Sequence, residues 1–282
     1  MKNVFVLSKK NIALLGMGTV GRAVYEEIKS NVSSVLVKDI TKKRNIHFSE
    51  KIITNDFEEI IQDKNIDIVI ELIGGETPAY NYIKRSIKSN KNVITANKEV
   101  MGKYGEELLD LAEKNNVFLL YEASVAGGIP IISPLVSDLS ANDFSSIRGI
   151  INGTTNYILT KMANEKLELA EVLREAQDLG YAEADPTSDI DGFDAQYKIS
   201  ILSRIAFNSD VSIDQIYVEG ISNIKSTDFA YASELGYTVK LLATASINND
   251  KNLLVKVHPA LIPNHVPMSS VNGVLNAVEI KG

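Results

Sequence analysis

The first 120 residues alternate short apolar runs with longer amphipathic segments, and this alternation most limits the possible folds. The apolar runs are four to six residues long and rich in Val, Ile and Leu, as buried β-strands are. The segments between them carry apolar residues at helical spacing. Strands that are apolar almost throughout and are joined by helices indicate a parallel sheet covered on both faces. This part of the chain therefore predicts a doubly wound α/β domain of the Rossmann type.

The predicted strands are 11–15, 34–38, 51–54, 67–72, 92–96 and 117–121. The predicted helices lie within 19–30, 56–62, 78–89 and 105–115. The pattern changes at "EASVAGGIPII" (122–132), which is rich in glycine and restricted by a proline, and which predicts a hinge or tight turn. We therefore expect a dinucleotide-binding domain over 1–125 and a second domain over 126–282.

The second half of the chain predicts an α+β domain. A strand is expected at 146–153, and helices at roughly 155–165, 168–179 and 191–207. A strand pair at 237–247 and 252–262 follows, with a turn at 248–251 between them. The end of the sequence, "NAVEIKG", predicts a strand that enters a turn. We expect the chain to be part of a longer protein, with the domain over 126–282 incomplete at its C-terminus.

Composition excludes several classes of function. The net charge of −7 over 282 residues disfavours nucleic acid and anionic membrane as partners, because both attract basic surfaces. The absence of cysteine excludes disulfides, thiolate zinc sites and cysteine nucleophiles. No apolar run is long enough to span a bilayer. We expect a soluble, cytoplasmic protein that binds neither nucleic acid nor membrane.

The segment "GMGTVG" contains Gly16, Gly18 and Gly21 in the pattern G-x-G-x-x-G. The pattern alone is weak, but here a predicted strand precedes it and a predicted helix follows it. Gly16 would allow a tight turn, Gly18 the approach of a pyrophosphate, and Gly21 close packing of helix and strand. The free N–H groups of the helix N-terminus would bind the anion. A plain β-turn-α connection without a ligand is the alternative.

The second predicted strand leaves the choice between NAD and NADP open. Asp39 at its end would accept hydrogen bonds from the ribose hydroxyls of NAD. Lys38 and the basic run at 42–44 would neutralise the additional phosphate of NADP. The basic run also suits an ordinary solvated loop. The pattern favours NADP.

The stretch "YAEADPTSDIDGFDAQYK" (181–198) places five carboxylates before one lysine, Lys198. The carboxylates are Glu183, Asp185, Asp189, Asp191 and Asp194. Asp189 or Asp191 is predicted as the N-cap of the following helix. Asp194 and Lys198 are four residues apart and would share one helix face, where an exposed ion pair contributes only about 0.3–0.5 kcal/mol. The alternative is a site in which carboxylates bind an ammonium group and Lys198 exchanges a proton with a hydroxyl.

The chain resembles the homoserine dehydrogenase family over essentially its whole length. The motifs that carry the resemblance are "GMGTVG", "VITANK", "EASVAGGIP", "INGTTNYIL" and "GYAEADPTSDIDGFDAQYK". The resemblance implies NAD- or NADP-dependent interconversion of L-homoserine and L-aspartate 4-semialdehyde, on the route to threonine, methionine and isoleucine. Two rivals remain: another amino-acid nicotinamide dehydrogenase, and a non-catalytic or truncated nucleotide-binding regulatory protein.

The resemblance also implies roles for individual residues. Lys198 becomes the proton donor and acceptor, with Asp194 as its catalytic neighbour, and Lys98 lies where nicotinamide and substrate meet. Glu183 and Asp189 become substrate ligands. The cofactor-binding residues are then expected to be Gly16, Met17, Gly18, Thr19, Val20, Gly21, Lys38, Gly74, Thr95 and Lys98.

A monovalent cation is a further implication of the resemblance. Sodium or potassium would be held largely by main-chain carbonyl groups, here those of Glu122, Val125, Gly127 and Ile129. The segment "NGTTN" (152–156) resembles the start of the domain that forms dimers in this family. We therefore expect a homodimer or a higher homo-oligomer.

Overall fold

A computed structural model describes residues 10–42, 44 and 52–282. The chain divides into two compact units, Met1–Ser124 and Val125–Gly282. The division follows Ser124, whereas the predicted boundary follows residue 125.

The first unit contains one parallel sheet. Its described strands are β1 (Ile12–Leu15), β2 (Val32–Leu36), β3 (Ile53–Thr54), β4 (Ile68–Glu71), β5 (Asn92–Thr95) and β6 (Leu119–Leu120). They lie in the order β3-β2-β1-β4-β5-β6, and every pair is parallel. The strand order reverses between β1 and β4, which is the position where doubly wound folds bind ligands. The predicted Rossmann-type α/β class is confirmed.

The helices of the first unit are α1 (Thr19–Ile28), α2 (Phe57–Gln62), α3 (Ala79–Lys88) and α4 (Lys98–Lys114), and a 3-10 helix covers Glu122–Ser124. Helix α4 begins earlier than the predicted range of 105–115. The side chain of Asn97 caps it, because Asn97 Oδ1 accepts a hydrogen bond of 3.1 Å from the Val100 N–H. Helix propensity did not predict this first part because glycine disfavours a helix, and Gly102 and Gly105 both lie there. In the structure both glycines are buried within α4.

Strand β1 shows why this sheet is covered on both faces. Ile12 and Leu14 pack in one core cluster with Tyr25 of α1. Ala13 and Leu15 point to the opposite face and pack in a second cluster with Phe57 of α2. Full burial of each large apolar side chain contributes about 1.5–3 kcal/mol. The two cores hold the carboxyl end of β1, and therefore the glycine loop, in place.

The second unit combines a mixed sheet with helices. Its strands are β7 (Ser146–Ile150), β8 (Tyr217–Val218), β9 (Tyr237–Ile247), β10 (Leu253–Pro263) and β11 (Ala277–Lys281). Its helices are α5 (Ile132–Val136), α6 (Gly153–Glu165), α7 (Leu169–Asp178), α8 (Thr187–Ile190), α9 (Phe193–Phe207) and α10 (Ser226–Glu234), with 3-10 helices at Ile213–Gln215 and Pro267–Ser270. The strand order is β11-β7-β9-β10-β8. Helix α9 packs on β7, β9 and β10, and α6 packs on β9.

The predicted pair of antiparallel strands is confirmed as β9 and β10. Helices α5, α8 and α10 and the short strand β8 lack a strong periodic pattern and were not predicted. The predicted N-cap of α9 is wrong: Gly192, not Asp189 or Asp191, occupies that position with φ +86°. A Cβ at Gly192 would lie 3.1 Å from Val218, so a left-handed turn and close packing require glycine there.

Candidate functional site

The three glycines of the loop after β1 have different surroundings. Gly16 has φ +99°, and a Cβ there would lie 2.8 Å from the carbonyl oxygen of Leu72. A Cβ at Gly21 would lie 2.2 Å from the carbonyl oxygen of Gly16. At Gly18 no atom lies within 4 Å of the Cβ position. Packing thus requires the first and third glycines, while the second leaves open space at the N-terminus of α1, where an anion is favoured.

A cavity of about 860 Å³ lies beside this loop, within the size range of small-molecule and cofactor sites. Apolar side chains of the strands form part of its wall, and Arg22, Lys38, Lys42 and Arg44 bring positive charge to it. Its complete described lining is Gly16, Met17, Gly18, Thr19, Arg22, Leu36, Val37, Lys38, Lys42, Arg44, Asn55, Leu72, Ile73, Pro78 and Tyr82. The cavity therefore suits an elongated anionic ligand with an apolar part.

Asp39 is engaged by its own loop. Its Oδ1 accepts hydrogen bonds from the Thr41 N–H (2.8 Å) and the Thr41 hydroxyl (2.7 Å). These bonds hold the pKa of the Asp39 carboxyl below its usual value. The Arg44 guanidinium donates to the Asp39 carbonyl oxygen at 2.7 Å. Asp39 does not belong to the described cavity lining. Lys43, the middle residue of the predicted basic run, lies outside the described residues.

Five predicted cofactor residues lie outside the described cavity lining, and one of them, Gly21, packs against the Gly16 carbonyl group. Val20 is exposed on α1, and Gly74 lies in the loop after β4 with φ +79°. Thr95 is buried and donates to Glu71 Oε2 at 2.6 Å. Lys98 is the first residue of α4. Gly74 and Lys98 follow the carboxyl ends of β4 and β5, and Thr95 is the last residue of β5.

The acidic stretch does not form one cluster. Asp185 Oδ1 accepts from the N–H (3.1 Å) and hydroxyl (2.6 Å) of Thr187, which stabilises a turn. Asp191 accepts from the Ser222 hydroxyl at 3.0 Å. Glu183 is exposed to solvent. Two of the five carboxylates thus accept hydrogen bonds from hydroxyl groups, one from a neighbour in the sequence and one from a residue 31 positions away.

Asp194 and Lys198 form a largely buried ion pair. Lys198 Nζ lies 2.5 Å from Asp194 Oδ2 and donates to the Ile151 carbonyl oxygen at 3.0 Å. The side chain of Asp194 is 3% exposed and that of Lys198 16%. The interpretation of this pair as an exposed surface contact is therefore wrong. Both residues lie on α9, which packs against β7, β9 and β10.

Asn152 connects the two remaining carboxylates and was missed by the sequence analysis. Its Nδ2 donates to Asp189 Oδ1 at 2.7 Å and to Asp194 Oδ2 at 2.9 Å. Its Oδ1 accepts from the Thr155 N–H at 2.8 Å, so the same side chain caps α6. An asparagine just before a helical pattern was the available signal, but it indicates only a cap.

The loop from Val125 to Ile129 lies at the start of the second unit. Ala126 and Gly127 have consecutive positive φ angles of 58° and 57°, which make a tight turn. The Ile129 N–H donates to the Ala126 carbonyl oxygen at 3.0 Å. Val125 is buried, while Ile129 is 36% exposed. Glu122 lies in the 3-10 helix that ends the first unit.

Residues 10–42, 44 and 52–282 contain no group of three or more His, Cys, Asp or Glu side chains placed to hold a metal ion. No helix within the same ranges has the length and apolar character needed to cross a membrane.

The glycine loop on a 3-2-1-4-5-6 parallel sheet, followed by a separate α+β unit, defines a two-domain protein of the dinucleotide-binding class. Residues 16–122 match the family model of the homoserine dehydrogenase NAD-binding domain, and residues 130–282 match that of homoserine dehydrogenase. The chain belongs to the homoserine dehydrogenase family.

Individual relatives agree with this assignment. A homoserine dehydrogenase from Bacillus subtilis (strain 168) is 43% identical over 96% of this chain and 65% of its own length. A homoserine dehydrogenase structure from Thiobacillus denitrificans has a TM-score of 0.89 and 40% identity, covering 97% of this chain and 66% of that one. A hyperthermophilic archaeal homoserine dehydrogenase in complex with NADPH has a TM-score of 0.78 and 27% identity, covering 96% and 88%. The chain thus spans about 65% of the length of the first of these relatives.

Proposed function

We propose that the protein containing this chain is an NAD(P)-dependent oxidoreductase that interconverts L-homoserine and L-aspartate 4-semialdehyde, in the biosynthesis of threonine, methionine and isoleucine. The observation that carries the proposal is the buried pair of Lys198 and Asp194, 2.5 Å apart, in a member of this family. Oxidation of an alcohol requires a group that takes the hydroxyl proton, and an amine held by a buried carboxylate can do so.

The side chains divide the work between binding and proton transfer. In the oxidation direction the uncharged amine of Lys198 takes the proton from the substrate hydroxyl and becomes an ammonium group, and in the reduction direction the ammonium group returns that proton. Asp194 stabilises the charged lysine that results, because an opposite charge at hydrogen-bond distance favours the ionised form. Asp189 and Glu183 bind the substrate ammonium group through opposite charge. Lys98 keeps the catalytic role that the family resemblance implies.

The glycine loop would hold the cofactor. Its N–H groups at the start of α1 and the open space at Gly18 suit a pyrophosphate, and Lys38 lies in the same cavity wall. When bound, the nicotinamide ring supplies or accepts the hydride. Gly74 and Thr95, at the ends of β4 and β5, retain their proposed cofactor roles together with Lys98.

NADP is the proposed cofactor in preference to NAD. Lys38, Lys42 and Arg44 line the cavity, whereas the carboxylate of Asp39 is bound by Thr41. A 2′-phosphate would therefore meet cations, and ribose hydroxyls alone would lack their usual acidic partner. Arg44→Ala should lower kcat/KM for NADP by about tenfold or more and leave that for NAD nearly unchanged, since a charge-assisted hydrogen bond contributes about 1.5–3 kcal/mol. An equal loss with both cofactors would contradict the assignment.

A monovalent cation, sodium or potassium, is proposed at the main-chain carbonyls of Glu122, Val125, Gly127 and Ile129. The consecutive positive φ angles of Ala126 and Gly127 make a tight turn between these positions, and carbonyl oxygens are ligands that suit a hard ion. Replacement of potassium and sodium in the buffer by a large organic cation should lower activity. Unchanged activity would argue against the site.

A homodimer or higher homo-oligomer, formed through residues 126–282, is proposed from the family resemblance. Exposed apolar side chains in this unit, among them Tyr231, Leu235 and Leu261, support an interface there. Light scattering coupled to size-exclusion chromatography measures the mass directly. A monomer at micromolar concentration would contradict the proposal.

Homoserine-dependent reduction of NADP and of NAD by the complete protein tests the function. The absorbance of the reduced cofactor should rise with homoserine and stay constant without it. Cofactor binding in calorimetry without any reduction would favour a non-catalytic nucleotide-binding protein. Faster reduction with another amino-acid alcohol would favour a different dehydrogenase.

A further inference from the structure

We propose that Asn152 is a positioning residue of the site: its carboxamide holds the carboxylates of Asp189 and Asp194 in place for substrate and for Lys198. The proposal rests on the proposed function, because it assigns those two residues to substrate binding and proton transfer. It adds a residue whose contacts lie entirely within the second unit.

The orientation of the Asn152 amide is set by its helix. Oδ1 accepts from the N–H and the hydroxyl of Thr155, at 2.8 and 2.9 Å, and so must be the acceptor end of the side chain. Nδ2 is then directed to the opposite side, where it lies 2.7 Å from Asp189 Oδ1 and 2.9 Å from Asp194 Oδ2. Asn152 is 6% exposed, so water competes little for these bonds.

The two hydrogens of the amide have one acceptor each. A carboxylate at this position could cap the helix but could not donate, and a hydroxyl could cap the helix but has a single hydrogen. Two carboxylates so close to one atom repel each other, and a donor between them offsets this repulsion. Among helix-capping side chains, the amide is therefore the type that fits both tasks.

The residue before Asn152 makes the second contact to the ion pair. Lys198 Nζ donates to the carbonyl oxygen of Ile151 at 3.0 Å, while Asp194 Oδ2 accepts from both Asn152 and Lys198. Two consecutive residues in the connection between β7 and α6 thus hold both members of the pair on α9. The start of α6 fixes the position of the proton-transferring lysine.

A purely structural helix cap is the competing explanation, and substitutions separate the two. Asn152→Ser keeps a strong capping residue but loses the two amide donors. Asn152→Asp also keeps the cap, and it places a third carboxylate beside Asp189 and Asp194. Asn248→Asp is the matched control: it adds the same charge in the turn after β9, where Asn248 Oδ1 accepts from the Asn252 N–H and an aspartate can do the same.

The three variants and the wild type of the complete protein are compared by thermal melting and by the pH dependence of homoserine oxidation. Asn152→Ser should melt near the wild-type temperature, yet lose about 10–100-fold in kcat/KM through a lower kcat and a higher KM, because hydrogen bonds to charged groups are lost. Asn152→Asp should change the pH profile of kcat/KM from that of the wild type, because it places a third carboxylate beside Asp189 and Asp194. Asn248→Asp should leave the profile unchanged.

Crystal structures of the same variants give a result that does not depend on turnover. In Asn152→Ser, the Asp189 carboxylate should turn away from Asp194. If both carboxylates keep their wild-type positions, or if Asn152→Ser has wild-type kinetics and the Asn152→Asp profile coincides with that of Asn248→Asp, the positioning role is wrong. A wild-type protein that does not oxidise homoserine would instead refute the proposed function, and the crystal structures would still decide whether Asn152 places the carboxylates.

Discussion

The glycine loop of the first unit and the carboxylate cluster of the second are built in opposite ways. The loop is one continuous segment. It offers backbone N–H groups at the start of α1, and the missing side chain of Gly18 leaves open space beside them. The cluster consists of side chains, and Asn152 contacts partners 37 and 42 residues further along the chain. A site made from backbone can be recognised from spacing in the sequence, whereas a site made from distant side chains becomes visible only after folding.

The two regions also differ in the charge that they present. Arg22, Lys38 and Arg44 make the cavity beside the loop positive, which suits a phosphate-bearing cofactor. Asp189 and Asp194 make the cluster negative, which suits an ammonium-bearing substrate. We therefore expect substitutions in the carboxylate cluster to lower turnover without changing cofactor affinity, and substitutions in the glycine loop to lower cofactor affinity.

The largest effect is expected at Lys198. Lys198→Ala should lower kcat for homoserine oxidation by about 10²–10⁴-fold, the contribution of general acid–base catalysis, while calorimetry shows nearly unchanged cofactor affinity. Lys256→Ala, at an exposed position on β10, is the control and should retain full activity. Normal turnover of the Lys198 variant would contradict its role in proton transfer. Loss of cofactor binding in that variant would contradict the assignment of cofactor binding and proton transfer to different regions.

The glycine loop gives the complementary test. Gly21→Ala should destabilise the first unit by about 3 kcal/mol, because its Cβ would overlap the Gly16 carbonyl oxygen at 2.2 Å. Gly18→Ala has open space and φ −75°, so the fold should lose no more than about 1 kcal/mol. Cofactor affinity should nevertheless fall in the Gly18 variant, since the methyl group enters the proposed pyrophosphate site. Wild-type affinity in that variant would show that the cofactor does not approach there.

Lys240 is a buried lysine of the same unit that differs from Lys198, because its hydrogen-bond acceptors are uncharged. Lys240 Nζ donates to Asn156 Oδ1 (3.0 Å), the Val271 carbonyl oxygen (2.6 Å) and Asn272 Oδ1 (2.9 Å). Lys240→Met should lower the free energy of unfolding by about 1–3 kcal/mol at neutral pH, since three acceptors lose their donor. Lys256→Met, at an exposed site, should change it by less than about 0.5 kcal/mol. Equal effects in denaturant titrations would contradict a structural role for Lys240.

The same lysine predicts a pH dependence of stability. Burial lowers the pKa of Lys240 to about 8, whereas the pKa of a lysine in an unfolded chain is about 10.4. Between these values the unfolded chain binds more protons, so this group makes the free energy of unfolding rise with pH from about 8 to about 10.4. Urea titrations across this window should show a flatter dependence for Lys240→Met than for the wild type. Identical slopes would contradict the expected titration.

The smallest effect is expected at Asp185. Asp185→Asn removes one charge from the acidic stretch but keeps an oxygen that can accept from Thr187. We expect KM for homoserine to change by less than about twofold, since an exposed charge is screened by water. A tenfold rise in KM would mean that the charge of the whole stretch, rather than the carboxylates held by Asn152, attracts the ammonium group.

Much of the fold was predictable because it depends on local patterns. The six strands of the first unit were expected from apolar runs, and β9 and β10 from two long runs around a turn. The first turns of α4 were missed because its two buried glycines oppose helix propensity, and tertiary packing outweighs that preference. The N-cap of α9 was assigned to an aspartate, whereas the fold there demands a left-handed glycine packed against Val218.

The glycine loop and the spacing of Asp194 and Lys198 were readable in the sequence because each depends on residues close together in the chain. The Rossmann-type sheet was readable because each strand and helix has its own local pattern and their alternation restricts the topology. The folded chain was needed to see that this pair is buried, that Asp191 accepts a hydrogen bond from Ser222, and that Asn152 joins Asp189 to Asp194. Burial and long-range hydrogen bonds depend on how α6, α9 and the mixed sheet pack. The spacing of residues along the chain carries no direct record of that packing.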